Sequence, residues 1–251
     1  MDFLTINTLF MVIIFAVGIS GGTAAKYLAN STVSVSGLAL GNAFAGGVFL
    51  GAGLLHMLAD ANENFADLLP SLDYPVPALI AGGAILLILG VDQLGRQHFQ
   101  GTAVQNGTLL LIVLSLHSLI AGLSLGLERE VSASMAIFFA IIAHKGAAGF
   151  SLGTALAGAG VSDKLRRNRL LIFASATPIG VALGTYMTAT MEGRDAQMAE
   201  MIFDGLAAGT FLYIALMDIC REAFADAYQR WAKLILAVLG FTVMAVVAIW
   251  T

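Results

Sequence analysis

Apolar positions in this chain do not alternate or recur on a single helical face; they run on without a break. Eight predominantly apolar stretches fall at roughly 4–27, 37–60, 76–95, 106–127, 132–158, 168–190, 203–222 and 230–250. Each has about the 20 residues that a helix needs to cross the hydrocarbon core of a bilayer. The connectors are short and polar: NST near 30, ENFADLLPSLDYP, GRQHFQGT, EREVS, VSDKLRRNR, EGRDAQMAE and ADAYQR. None is long enough for a second domain. The pattern therefore predicts an all-α polytopic membrane protein, with residues 1–251 forming a single transmembrane domain. Met1–Asp2 lacks a basic n-region, and the run from Phe3 to Gly18 is too long for the apolar core of a leader. The first span is expected to be retained.

Composition agrees. Hydrophobic residues make up 59% of the chain and charged ones only 11%, against about half and a quarter in a soluble domain. A net charge of −4 offers no basic face to a nucleic acid. The single Cys220 excludes an intramolecular disulfide framework and a multi-cysteine metal site. Charge position carries more information. One side of the eight-span layout collects Lys26, Arg96, Lys164, Arg166, Arg167, Arg169, Arg221, Arg230 and Lys233. The other holds only Arg129 and Arg194, and Lys145 lies inside a span. The positive-inside rule then puts both termini outside. The outer connectors are acidic, with Glu63, Asp67, Asp73, Glu128, Glu130, Glu192, Asp195 and Glu200. These residues are either ordinary solvated loop positions or a vestibule that concentrates cations.

Two layers of internal repetition follow. HSLIAGLSLG (117–126) and HKGAAGFSLG (144–153) share a leading histidine, Ala-Gly, and Ser-Leu-Gly. They lie on consecutive, hence antiparallel, spans with each histidine near mid-helix. Small residues at Ala121, Gly122, Gly126, Ala148, Gly149 and Gly153 allow close helix approach, so a local two-fold axis would bring His117 and His144 to one depth. In the second layer AGGVFLGAGLLHMLAD (45–60) overlies AAGTFLYIALMDICRE (207–222) without gaps, Ala45 on Ala207. The same shift places Gly18, Gly22 and Thr23 over Gly180, Gly184 and Thr185, His56 over Asp218, and Asp60 over Glu222. Spans one and two echo spans six and seven with opposite orientation, the inverted repeat of many transporters. His56 and Asp60 then step toward the outside, and Asp218 and Glu222 toward the inside.

Ionisable groups within spans are costly and usually face a pathway, pair with each other or hold an ion. Neutral imidazole suits Zn²⁺, Fe²⁺, Ni²⁺ and Cu²⁺, whereas Ca²⁺ and Mg²⁺ favour all-oxygen cages. Two facing histidines with carboxylates above and below point to a divalent transition metal, and a transported ion needs incomplete, exchangeable coordination. Lys145, next to His144, either adds an ammonium that disfavours a second metal there or is neutral because it is buried.

At these residues the chain resembles the ZIP (Zrt-, Irt-like) divalent-metal transporters. The resemblance is carried by HSLIAGLSLG, HKGAAGFSLG, SATPIGVALG, GLAAGTFLYIALMDI and GVFLGAGLLHMLADA. It implies eight helices in a 3+2+3 arrangement, usually homodimeric, with helices two, four, five and seven lining the path. It also implies a bundle of helices one, four, five and six moving against the rest. By position, His117 and His144 become core metal ligands with Ser118 beside them, and His56 and Asp60 match the entrance face. Lys145 stands where binuclear members put a second-metal ligand. Two features depart from the family pattern. Many members place Glu four residues after each core histidine, where this chain has Ala121 and Ala148. The histidine-rich cytosolic loop is reduced to His98.

The expected function is alternating-access transport of Zn²⁺, or of Fe²⁺, Mn²⁺, Cd²⁺ or another divalent metal, toward the cytoplasm across the plasma (inner) membrane. The expected partners are the metal ion, the lipid bilayer and a second copy of the chain, with no nucleic acid and no prosthetic group. Two alternatives are a transport-impaired metal sensor and an intramembrane zinc hydrolase. The second would need a third strong ligand and a general base, and the chain has no H-E-x-x-H helix.

Overall fold

The computed structural model describes residues 3–29, 34–99, 103–187, 193–225 and 227–250. Backbone amides in hydrocarbon must be satisfied within their own segment, so continuous apolar text becomes helix. All eight expected spans are helices long and apolar enough to cross a membrane. Helix α1 is Phe3–Ala29. Helix α2 runs from Ser34–Gly51 through a π-helical stretch, Ala52–Met57, into Leu58–Leu68. Then come α3 (Val76–Phe99), α4 (Ala103–Leu127), α5 (Val131–Gly158) and α6 (Asp163–Met187). Helix α7 runs from Arg194–Tyr213 through a second π-helical stretch, Ile214–Cys220, into Arg221–Ala223, and α8 is Arg230–Val247. Among the described residues there is no strand.

Three polar connectors are helical rather than loop. Residues 61–68 continue α2, 163–167 open α6, and 194–202 open α7. Hydropathy falls at the membrane edge, but backbone hydrogen bonding does not stop there. The α2 extension has its own apolar face: Phe65 and Leu68 bury against Met201 of α7. The Arg194 guanidinium donates to the Leu68 carbonyl at 3.3 Å, closing the same junction. The helical extensions of α2 and α7 therefore pack on each other beyond the apolar runs.

Helix packing follows the small residues. The most extensive contacts are α4 on α6, α1 on α5, α2 on α8 and α3 on α7. Where α4 meets α6, a Cβ on Gly122 would strike the Thr177 carbonyl and lie 3.0 Å from Gly180 Cα. Where α1 meets α5, a Cβ on Gly149 would strike the Gly18 carbonyl. Gly126 packs on Gly184, and Gly153 on Gly22, in the same way. These are backbone-to-backbone contacts, the kind that hold helices together where no hydrophobic drive exists between them. Asn7 Nδ2 adds a hydrogen bond of 3.3 Å from α1 to Thr185 Oγ1 of α6. The core at mid-depth is built from Phe49, Leu114, Leu152, Phe173, Phe211 and Ile214, all fully buried. Leu86, Leu87 and Leu94 of α3 and Trp231 and Ile235 of α8 stay exposed, as residues facing lipid must.

Candidate functional site

Helices α4 and α5 bring His117 and His144 together. Both imidazoles are 2% exposed, with ring centroids 5.6 Å apart and planes at 69°. Two imidazoles bound to one tetrahedral Zn²⁺ through bonds of about 2.0–2.1 Å would hold their centroids roughly 5 Å apart. The observed pair lies within a small side-chain adjustment of that value. Neither ring nitrogen of His117 has a hydrogen-bond partner among the described residues. A buried polar atom left unpaired costs on the order of 1–3 kcal/mol, so this imidazole has unused capacity for a ligand. Phe211 of α7 forms the wall of this site. Its ring stacks on His117 at 3.7 Å, meets His144 edge-on at 5.0 Å, and touches Phe49 of α2 at 4.7 Å.

Above the pair opens a cavity of about 480 Å³. His144 lines it, together with Ala121, Ile141 and Ala207, while His117 is outside that lining and meets His144 ring to ring. Its upper part is polar: His56, Asp60 and Glu63 from α2, Ser124 and Glu128 from α4, Ser132 from α5, and Glu200 and Asp204 from α7. Among the described residues, five carboxylates and no Lys or Arg line the cavity. Low-dielectric walls around charge of one sign focus the field and raise the local concentration of cations. Glu63, Glu128 and Glu200 sit at the connectors expected to lie outside, so the cavity opens on that side. It does not reach Lys26, Lys164 and Arg166, which border a separate cleft between α1 and α6.

His56 lies in the π-helical stretch of α2, and its Nδ1 is 2.8 Å from Asp60 Oδ2. The wider π turn displaces the residues after it, a device common at functional sites. The pair expected at the entrance is therefore in the cavity that leads to His144. Asp204 is the residue the sequence reading passed over. It sits one turn after Glu200, inside an apolar run, and the internal repeat lays it over the polar Asn42. Either signal would have found it.

Lys145 turns the other way. Its Nζ donates to Ser118 Oγ and Thr177 Oγ1, both at 2.9 Å, and to the Phe173 carbonyl at 3.4 Å. It also lies 4.0 Å from the centroid of the Phe173 ring. Two hydroxyls, a carbonyl and an aromatic face together satisfy an ammonium. Lys145 and Ser118 thus tie α4, α5 and α6 together behind the histidine pair, outside the cavity. Ala121 lines the cavity, but Ala148 is 2% exposed and packed in the core. The side chains of Asp218 and Glu222 lie outside the described residues, as does that of His98. Among the described residues no group of three His, Cys, Asp or Glu side chains is placed to hold a metal ion. What the described residues do bring together is two imidazoles side by side, with carboxylates further along the cavity that His144 lines.

Comparison with known proteins gives a consistent pattern. The family model described as ZIP Zinc transporter matches residues 4–108 and, in an overlapping second stretch, 99–248. The chain is 30% identical to Zinc transporter ZIP1 of Bos taurus over 249 residues, covering 82% of this chain and 76% of that protein. It is 29% identical to Zinc transporter ZIP2 of Mus musculus, covering 81% and 82% respectively. Zinc transporter 11 of Arabidopsis thaliana is 27% identical over 96% of this chain and 83% of its own length.

Proposed function

The chain belongs to the ZIP zinc transporter family, and from that premise we propose that it moves Zn²⁺ toward the cytoplasm by alternating access. Divalent metal transport without enzymatic chemistry is the part that family membership itself carries. The preference for Zn²⁺ over Fe²⁺, Mn²⁺ or Cd²⁺, the inward direction, and residence in the plasma (inner) membrane with both termini outside are our reading. One observation carries it: two buried imidazoles meet with centroids 5.6 Å apart, and one of them, His144, lines a cavity that five of the described carboxylates share.

In this reading the cation enters along Asp204, Glu200, Asp60 and His56, shedding water as protein oxygens and imidazole replace it. His144 takes it at the cavity base and His117 completes the bridge. Water, or a side chain from α2 or α7, fills the remaining positions.

An inverted repeat supplies the mechanical basis. Four observations support it. The π-helical stretches begin at Ala52 and Ile214, positions that the repeat lays over one another. Phe49 and Phe211, equivalent in the same way, touch each other. A Cβ on Gly53 would meet the Ala208 carbonyl and one on Gly46 the Ala215 carbonyl, which are reciprocal contacts under that shift. The α1–α5 and α4–α6 pairings also exchange, glycine for glycine. Such a scaffold has two related packings, and rocking α1, α4, α5 and α6 against α2 and α7 converts one into the other. Gly82, Gly83 and Gly90 of α3 face open space, which suits close approach by a second copy in a homodimer.

The test is uptake into proteoliposomes across a panel of divalent metals, with a His117/His144 double alanine protein as control. Saturable Zn²⁺ uptake that the control lacks is expected. Zn²⁺ binding without flux in the wild-type protein would favour a sensor instead. The hydrolase reading gains no support, since no third strong ligand joins the two histidines among the described residues.

A further inference from the structure

On either side of the molecule's centre lies a polar half-layer, and only one of the two lines the open cavity. Ser124 lies seven residues after His117, and Ser151 seven residues after His144. On antiparallel helices these steps go in opposite directions, each about 10 Å from its histidine. Asp204 lies seven residues before Phe211, and Asn42 seven before Phe49. Those steps also run in opposite directions from the Phe49–Phe211 contact. The two half-layers are therefore Ser124 with Asp204 on one side, and Ser151 with Asn42 on the other.

Ser124 and Asp204 share the open cavity. Their counterparts are sealed, with Asn42 4% and Ser151 2% exposed. Asn42 Oδ1 and Ser151 Oγ have no hydrogen-bond partner among the described residues. Helices α2 and α5 touch at this level: a Cβ on Gly41 would strike the Phe150 ring, and these two are the neighbours of Asn42 and Ser151. Two buried oxygens left without donors, on adjacent helices and equally far below the centre, form an arrangement that packing alone does not reward.

We propose that Asn42 and Ser151 form the inner cation station of the pathway, the counterpart of Asp204 and Ser124, dry in this conformation and wetted when the cavity closes above. The proposal rests on the inverted-repeat transport reading above. Its ligand class is a partly hydrated divalent cation held by neutral amide and hydroxyl oxygens. The outer station carries a carboxylate and the inner one does not, so the inner one holds a cation more weakly and lets it go.

Four single-cysteine proteins in a Cys220→Ser background test this: S124C, D204C, N42C and S151C, reconstituted and exposed to a membrane-impermeant maleimide from either face. S124C and D204C are expected to label from the cavity face. N42C and S151C are expected to label at least roughly tenfold faster from the opposite face. Labelling of N42C and S151C from the cavity face, or from neither face while the Cys220→Ser protein still moves Zn²⁺, overturns the proposal. Asn42→Leu is further expected to slow Zn²⁺ delivery roughly tenfold while outside-facing Zn²⁺ affinity stays unchanged. Delivery at the wild-type rate overturns the proposal. Failure of the transport reading itself would look different: no flux from the wild-type protein, whatever the labelling pattern.

Discussion

Phe49 and Phe211, equivalent positions in the two halves of the repeat, meet ring to ring at 4.7 Å, and only Phe211 also stacks on His117. The contact lies where the two halves cross, and the histidine stacking breaks its symmetry. The carboxylate-lined cavity is asymmetric in the same way: it takes in His144 and the residues on one side of the pair. Under the proposed alternating-access reading, the ring of Phe211 would change partners between the two packings.

His117→Ala and His144→Ala are each expected to reduce Zn²⁺ uptake to the background of empty liposomes. Each removes half of a two-ligand platform that no third described side chain supports. Surface expression and detergent-solution monodispersity should be unaffected. Wild-type uptake by either mutant would refute the site.

Asp204→Asn removes one of five carboxylates from the cavity wall. Uptake should fall several-fold at low ionic strength, and the difference should shrink near 0.15 M salt, where the screening length is about 8 Å. A salt-independent defect would limit Asp204 to short-range contact with the cation at the outer station, without a long-range field.

The two alanines at the family's glutamate positions should respond differently. Ala121 lines the cavity, so Ala121→Glu adds a carboxylate beside the histidine platform and should tighten Zn²⁺ binding by roughly tenfold or more, read by calorimetry. Ala148 is packed in the core, so Ala148→Glu buries a carboxylate among apolar side chains and should lower Tm or abolish folding. Equal effects at the two positions would contradict the geometry.

Lys145→Met removes three donated hydrogen bonds and strands the Ser118 and Thr177 hydroxyls in the interior. A loss of about 1–3 kcal/mol of stability is expected, seen as a lower Tm in detergent. Zn²⁺ affinity at the histidine pair should change little, because Lys145 turns away from the cavity. A large affinity change with an unaltered Tm would place the ammonium in the metal's surroundings instead.

Much of this protein follows from its amino-acid order. In hydrocarbon the backbone has to be helical, so eight apolar runs dictate eight helices. Glycine pairs such as Gly122/Gly180 and Gly18/Gly149 mark where those helices touch, because only a missing side chain allows backbones so close. The repeated phrase around His117 and His144 already implies that both rings share one depth. Three things depended on the tertiary structure. Residues 61–68 and 194–202 are helical because Phe65 and Leu68 find Met201, a contact between segments far apart in the chain. Lys145 and Ser118 face away from the cavity because Thr177 and Phe173 of α6 supply the acceptors. Asp204 belongs to the vestibule, and Asn42 and Ser151 are sealed, because the crossing of α2, α5 and α7 decides which polar side chains reach water. A linear pattern encodes depth and helix face, but the partner across each face is chosen by packing.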